Sequence, residues 1–316
     1  MKSGNTNFNS TISSYGVPIS PGVNGMITGD IYFVDSGAAN ASDSNKGTQQ
    51  KPLLTLDAAI GLCTASNGDV IILMPGHTET ISSATALAID VAGVNIVGLG
   101  EGTDRPKFIL NTANSATIAV SAANVSITNC VFSANFADIA ELFTPTAVNF
   151  KAINCKFTQE AVDMNFVEIA DTGTTDNEAD GLSFIGCEWI EVDASTTSLV
   201  NVDADLDRLV VEDCYIDLGV NGVLSAIAEV AAGKDLTNVS IRRNYVSRLV
   251  TASAVQLITF VNTTTTNTGI AESNRCRTLD IAGELLMSAG TNISCYDNLS
   301  TSVIDKSGYV LPAIDS

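Results

Sequence analysis

Short apolar stretches separated by Asn, Gly, Asp, Thr and Ser run through most of the chain, and one pattern returns repeatedly. It reads apolar, any, apolar, any, a turn-prone residue, Cys or Asn, any, then apolar or aromatic. Val125–Phe132, Phe150–Phe157, Leu182–Trp189 and Leu209–Ile216 carry it with Cys, and Val239–Val246 carries it with Asn. Ile293–Ser300 is a looser copy, and Ala271–Asn274 is a weak one between them. Apolar residues two apart predict brief strands with one buried face. The Cys or Asn falls at 130, 155, 187, 214, 244 and 298, so a repeat takes roughly 25–32 residues, the size of one solenoid coil.

If coils stack about 4.8 Å apart, equivalent side chains lie over one another. Cys130, Cys155, Cys187, Cys214, Asn244 and Asn298 then form one structural ladder. Cys would pack there as a small apolar group and Asn would tolerate the turn and hydrogen-bond along the stack. Phe132, Phe157 and Trp189 form a parallel aromatic stack, continued by Ile216 and Val246.

The segments before the repeats differ. Residues 1–28 are polar and aperiodic and predict an extended arm. Gly29–Asp35 predicts a strand and 36–50 a loop. Pro52 and Thr55 open a helix whose apolar face is Leu56, Ala59, Ile60 and Cys63. Val70–Met74 predicts a buried strand, ended by the Pro75-Gly76 turn. The organisation expected is an arm (1–28), a first coil with its helix (29–81), coils (82–300) and a tail (301–316).

The series Asp35, Gly37, Gly47, Pro52, Thr55-Leu56, Ala58-Ala59-Ile60, Gly68-Asp69, Val70-Ile71, Pro75-Gly76 and Thr80 resembles the opening segment of pectin-lyase-like proteins. The resemblance covers roughly residues 29–81 at motif level. It implies an all-β fold, a single-stranded right-handed parallel β-helix, with a short N-terminal capping helix. That family includes lyases, hydrolases, isomerases, tailspikes and structural proteins, so it implies little about activity.

Charge narrows the partners. The 316 residues carry a formal net charge of −20. So acidic a chain lacks the basic face that nucleic acid requires, and it suits no anionic membrane. The start of the chain has no apolar leader and no stretch is long and apolar enough to span a bilayer. The seven cysteines, most of them at one pattern position, predict reduced, packed thiols.

Candidate chemistry is sparse. Acidic residues crowd the stretch from Glu160 to Asp217, with Arg208 as its only base, and read as a solvated acidic face. If the chain is an enzyme, Glu191 and Asp217 are the catalytic candidates. They sit just past the same pattern position in successive coils, and glycoside hydrolysis needs paired carboxylates. Asp171, Asp176 and Asp180 lie in a loop that would take calcium, although their spacing fits no defined motif. Asp203, Asp205 and Asp207 alternate with apolar residues as a half-buried strand does. His77, the only histidine, reads as structural, and Arg242, Arg243 and Arg248 read as pairs for acidic neighbours. No cofactor is called for.

These features most resemble structural virion proteins of tailed phages. That resemblance implies a non-enzymatic head decoration or cement protein on the outer capsid surface, assembled in the host cytoplasm. The implied partners are two further copies, making a homotrimer, and the major capsid protein or another virion protein. The alternatives are a tail-fibre or tailspike adhesin for host glycans and a polysaccharide lyase or glycoside hydrolase.

Overall fold

A computed structural model describes residues 13–14, 17–18, 28–191, 196–218, 225–248, 256–260, 266–278, 292–302 and 309–311. Most of the arm proposed for 1–28, and all but two short pieces of the tail 301–316, lie outside the described residues. The chain winds as a parallel β-helix. Two ten-stranded sheets and one seven-stranded sheet run along it. Successive strands of each sheet come from successive coils, with Ile31–Val34, Thr78–Ile81 and Ala88–Ile89 first in the three sheets.

The side-chain period of two puts alternate residues inside the coil. In the first sheet Ile71, Ile96, Ile127, Ala152, Phe184, Val211, Ile241 and Ala271 are in register and buried in one continuous core. In the second sheet Phe108, Phe132, Phe157, Trp189, Ile216 and Val246 form the equivalent column. The rings of Phe108, Phe132 and Phe157 stack with centroids 5.3 and 6.0 Å apart, and Phe143 from the third sheet meets Phe132 edge-on at 5.1 Å. The aromatic column therefore begins one coil earlier than the repeat pattern indicates.

The turn from the first sheet to the second is a single left-handed residue in each of seven coils: Asn129, Asn154, Gly186, Asp213, Arg243, Ser273 and Asp297. The residue after it forms the ladder. Cys155 Sγ donates to Ile127 O (3.6 Å), Cys187 Sγ to Ala152 O (3.3 Å) and Cys214 Sγ to Phe184 O (3.5 Å). Asn244, Asn274 and Asn298 use Nδ2 on the equivalent carbonyls of Val211, Ile241 and Ala271, at 2.8, 2.9 and 2.9 Å. Cys and Asn thus share one task, donating to the preceding coil. Asn adds an acceptor: Asn244 Oδ1 takes the Cys214 N–H, Asn274 Oδ1 that of Asn244, and Asn298 Oδ1 that of Asn274. Asn274, weak by sequence, is a full member. Among the described residues every cysteine is a free thiol. Burial pushes the Cys130 and Cys187 thiols well up, so both stay protonated donors.

The N-terminal end is closed by the helix Leu56–Ile60, which buries Leu56, Ala59 and Ile60 against the first coil. Thr55 caps it by accepting from Ala58 N, and Glu79 Oε2 accepts from Leu56 N at 2.9 Å. His77 occupies the ladder position of the first coil, since Thr78 pairs with Lys107 and Lys107 with Val131. It is fully buried; Nδ1 accepts from Ser36 N (3.1 Å) and Nε2 lies 3.3 Å from Glu79 Oε2. At the other end Tyr309–Leu311 pairs antiparallel with Asn298–Ser302 and covers the last edge of the second sheet.

Candidate functional site

Glu191 and Asp217, the carboxylate pair that the sequence offers, are not brought together. Glu191 pairs with Leu218, and Asp217 with Ile190. Parity separates them: Trp189 is inward, so Glu191 is inward too, whereas Asp217 follows the inward Ile216 and faces out. Glu191 is 1% exposed, accepting from Phe166 N at 3.1 Å and Thr196 Oγ1 at 2.9 Å. It fastens a corner of the coil. Asp217 accepts from the Tyr215 hydroxyl at 3.3 Å on the outer face.

Asp176 and Asp180 lie in a turn region as expected, whereas Asp171 is the last residue of the third-sheet strand Phe166–Asp171; all three carboxylates are committed to backbone. Asp171 accepts from Gly173 N (2.7 Å). Asp176 accepts from Asp205 N (2.9 Å) and pairs with Lys234 (2.7 Å), and Asp180 accepts from Asp207 N (2.8 Å). Asp205 in turn accepts from Asp235 N (2.9 Å), so this wall is a carboxylate-to-amide ladder between coils. Among the described residues no group of three or more His, Cys, Asp or Glu side chains is placed to hold a metal ion. Ala204 and Leu206 are buried, as the alternation with Asp203, Asp205 and Asp207 predicts. Arg243 forms two bonds to Asp213, at 2.7 and 2.9 Å, and a third to Glu212 at 3.3 Å.

A different acidic group stands out on the third sheet. Glu141 and Glu168 are in direct register, and Asp171 and Asn201 are paired a few residues on, beside Asp203. Glu168 is half-buried and accepts from Thr197 Oγ1 at 3.1 Å. Burial, together with the charges of Asp171, Asp203 and Glu141, pushes its carboxyl up to about 7 despite that bond. Burial also raises Asp171 and Glu141. A carboxyl that keeps its proton near neutrality can donate that proton, which is what a general acid needs. Sequence reading placed Glu168 and Asp171 in the acidic run but had no marker for the third sheet's register, which decides what they face.

The sign of the pH effect follows from the raised value. Between the usual 4.5 and about 7 the folded chain holds the Glu168 proton more tightly than the unfolded chain. Stability therefore falls as pH rises through this window, and levels off above it. Glu168→Gln is expected to raise the urea midpoint relative to the parent at pH 8 and to leave it unchanged at pH 4. Glu141 and Asp171 shift in the same direction, so the variant keeps part of the slope.

No protein-family profile matches the chain, and no curated protein sequence does. Several solved structures are similar in winding. A rhamnogalacturonan lyase matches at 14% identity over 90% of each chain, with a TM-score of 0.45. The pectate lyase Pel9A matches at 15% identity over 86% of this chain and 80% of its own, with a TM-score of 0.39. The GH136 lacto-N-biosidase from Eubacterium ramulus matches at 11% identity over 87% and 68%, with a TM-score of 0.34. No activity is carried over from likeness at this level.

Proposed function

We propose that the chain is a structural virion protein, a head decoration or cement protein of a tailed phage, held on the outer capsid surface as a homotrimer against the major capsid protein. The single observation that supports a building part is the continuous ladder from Cys155 to Asn298. There each turn side chain donates to the coil before it, so the rod is fastened along its length by buried bonds. The candidate carboxylates Glu191, Asp176 and Asp180 are spent on the same kind of fastening. The sequence resemblance supplies the capsid location, and the net charge of −20 suits the outside of a shell filled with DNA. Mass spectrometry of gradient-purified particles tests this reading. The chain should be present in fixed proportion to the major capsid protein, and its absence from particles would contradict the proposal.

One observation favours a second reading, a glycan-cleaving enzyme: the half-buried Glu168, in register with Glu141 and near Asp171 and Asp203, whose carboxyl is pushed up to about 7. Under that reading Glu168 is the general acid. Incubation with a panel of polysaccharides separates the two. Reducing ends or unsaturated products that disappear in Glu168→Gln would favour the enzyme, whereas the structural reading expects none from either protein.

A further inference from the structure

A pocket of about 560 Å³ lies on the second sheet, where the outward column Lys107, Val131, Lys156 and Glu188 runs in register across four coils. The turn Gly102–Asp104 contributes Gly102 and Thr103 to its wall, and Arg105 lines it beside them. The volume falls within the range of small-molecule sites, roughly 300–1,000 Å³. The chain has 15 basic residues against 35 acidic ones, so most of its surface repels anions, and a pocket lined by three cations is an exception. The three differ in what they have left to offer. Lys107 pairs with Glu160, and Lys156 with Glu188 at 3.2 Å, which balances both charges yet leaves N–H donors spare on each ammonium. Arg105 meets no carboxylate among the described residues. Its Nη2 donates to Cys130 O at 3.1 Å and to Asn154 O, backbone groups of two successive coils, and its buried Nε meets no acceptor. The guanidinium is thus fixed in place with its charge uncompensated.

We propose that this pocket binds one acidic sugar residue, a pyranose that carries a single carboxylate. One uncompensated cation selects one negative charge, and the planar guanidinium matches the two oxygens of a carboxylate. Lys107 and Lys156 are two coil spacings apart, about 9.6 Å, and their spare donors suit hydroxyl oxygens on either side of the ring. Val131 between them supplies an apolar floor for the C–H face of the sugar. Glu188 sets the specificity: it repels a bare oxyanion, whereas it accepts a hydrogen bond from a sugar hydroxyl. The pocket is on a different sheet from Glu168, so binding here depends on neither reading of the chain given above.

Ligand-observed NMR titration of the full chain with glucuronate, glucose and inorganic phosphate tests the proposal. Glucuronate should bind, glucose should not, and phosphate should bind at least about tenfold more weakly than glucuronate. Arg105→Gln should weaken glucuronate binding by about tenfold or more, because a hydrogen-bonded charge is lost. Lys156→Gln should weaken it by about threefold or more, and Lys151→Gln, on the first sheet, should leave it unchanged. Circular dichroism establishes that each variant is folded. Arg105 also ties two coils together, so if Arg105→Gln fails to fold, Lys156→Gln decides, since its ammonium pairs only with the exposed Glu188. Absence of glucuronate binding would overturn the proposal, as would folded variants that bind like the parent. Phosphate binding as tightly as glucuronate would overturn it too, by showing an adventitious anion site only. None of these results bears on whether the chain is found on particles, which the particle assay decides separately.

Discussion

Asn274→Ala should destabilise the chain by about 3–5 kcal/mol, because it removes a fully buried side chain with four bonding roles. Asn274 Oδ1 accepts from both N and Nδ2 of Asn244, at 3.0 Å each, and its own Nδ2 donates to Ile241 O at 2.9 Å and to Asn298 Oδ1 at 2.9 Å. Alanine leaves the Asn244 amide and the Ile241 carbonyl without those partners, in a setting that water does not reach. Each buried orphan costs about 1–3 kcal/mol. Asn274→Cys should cost clearly less. Cysteine serves the equivalent carbonyl in the coils of Cys155, Cys187 and Cys214, so the bond to Ile241 O is kept while the acceptor and the bond to Asn298 Oδ1 are lost. Urea unfolding under reducing conditions measures both variants. Equal losses for alanine and cysteine would contradict the donor role assigned to the column.

Phe143→Ala is expected to cost a similar amount, about 3–5 kcal/mol, for a different reason. Phe143 is fully buried and joins two walls of the coil. Its ring meets Phe132 at 5.1 Å, Phe150 at 5.0 Å and Phe157 at 6.3 Å, each edge to face. Truncation leaves a cavity against rings that are already held by the stacks above and below, so little can relax into it. Phe143→Leu, which keeps most of the volume, should recover more than half of the loss. The shift in urea midpoint at unchanged slope is the readout.

How far these features could be read from the sequence depends on whether the feature repeats. The ladder repeats at one position after a one-residue turn, so its cysteines and asparagines could be aligned without coordinates. Asn274 was harder to see because Gly269 replaces the first apolar residue of its copy. That glycine has φ +143°, and a Cβ there would lie 2.3 Å from Val239 O, so local geometry overrides the pattern. His77 precedes the repeats and matches none of them, and only strand pairing puts it at the head of the column. The third sheet offered no marker, because the loops before it differ in length from coil to coil and hide the register of Glu141 with Glu168.

Glu191 is a different case. Its inward direction follows from counting two residues on from Trp189, and the same count turns Asp217 outward. Pattern position suggested that the two carboxylates were neighbours, whereas parity decides which side of the sheet each one occupies. The acidic run therefore divides by direction. Glu191 is inside and structural, Asp176, Asp180 and Asp205 tie one coil to the next, and Glu168 stands half-buried on the third sheet in register with Glu141.

Gold-labelled antibody against the purified chain, applied to intact phage particles and viewed by electron microscopy, tests the central claim most directly. The account predicts label spread over the outer surface of the head. Label confined to the tail tip, or absent from the particle, would contradict it.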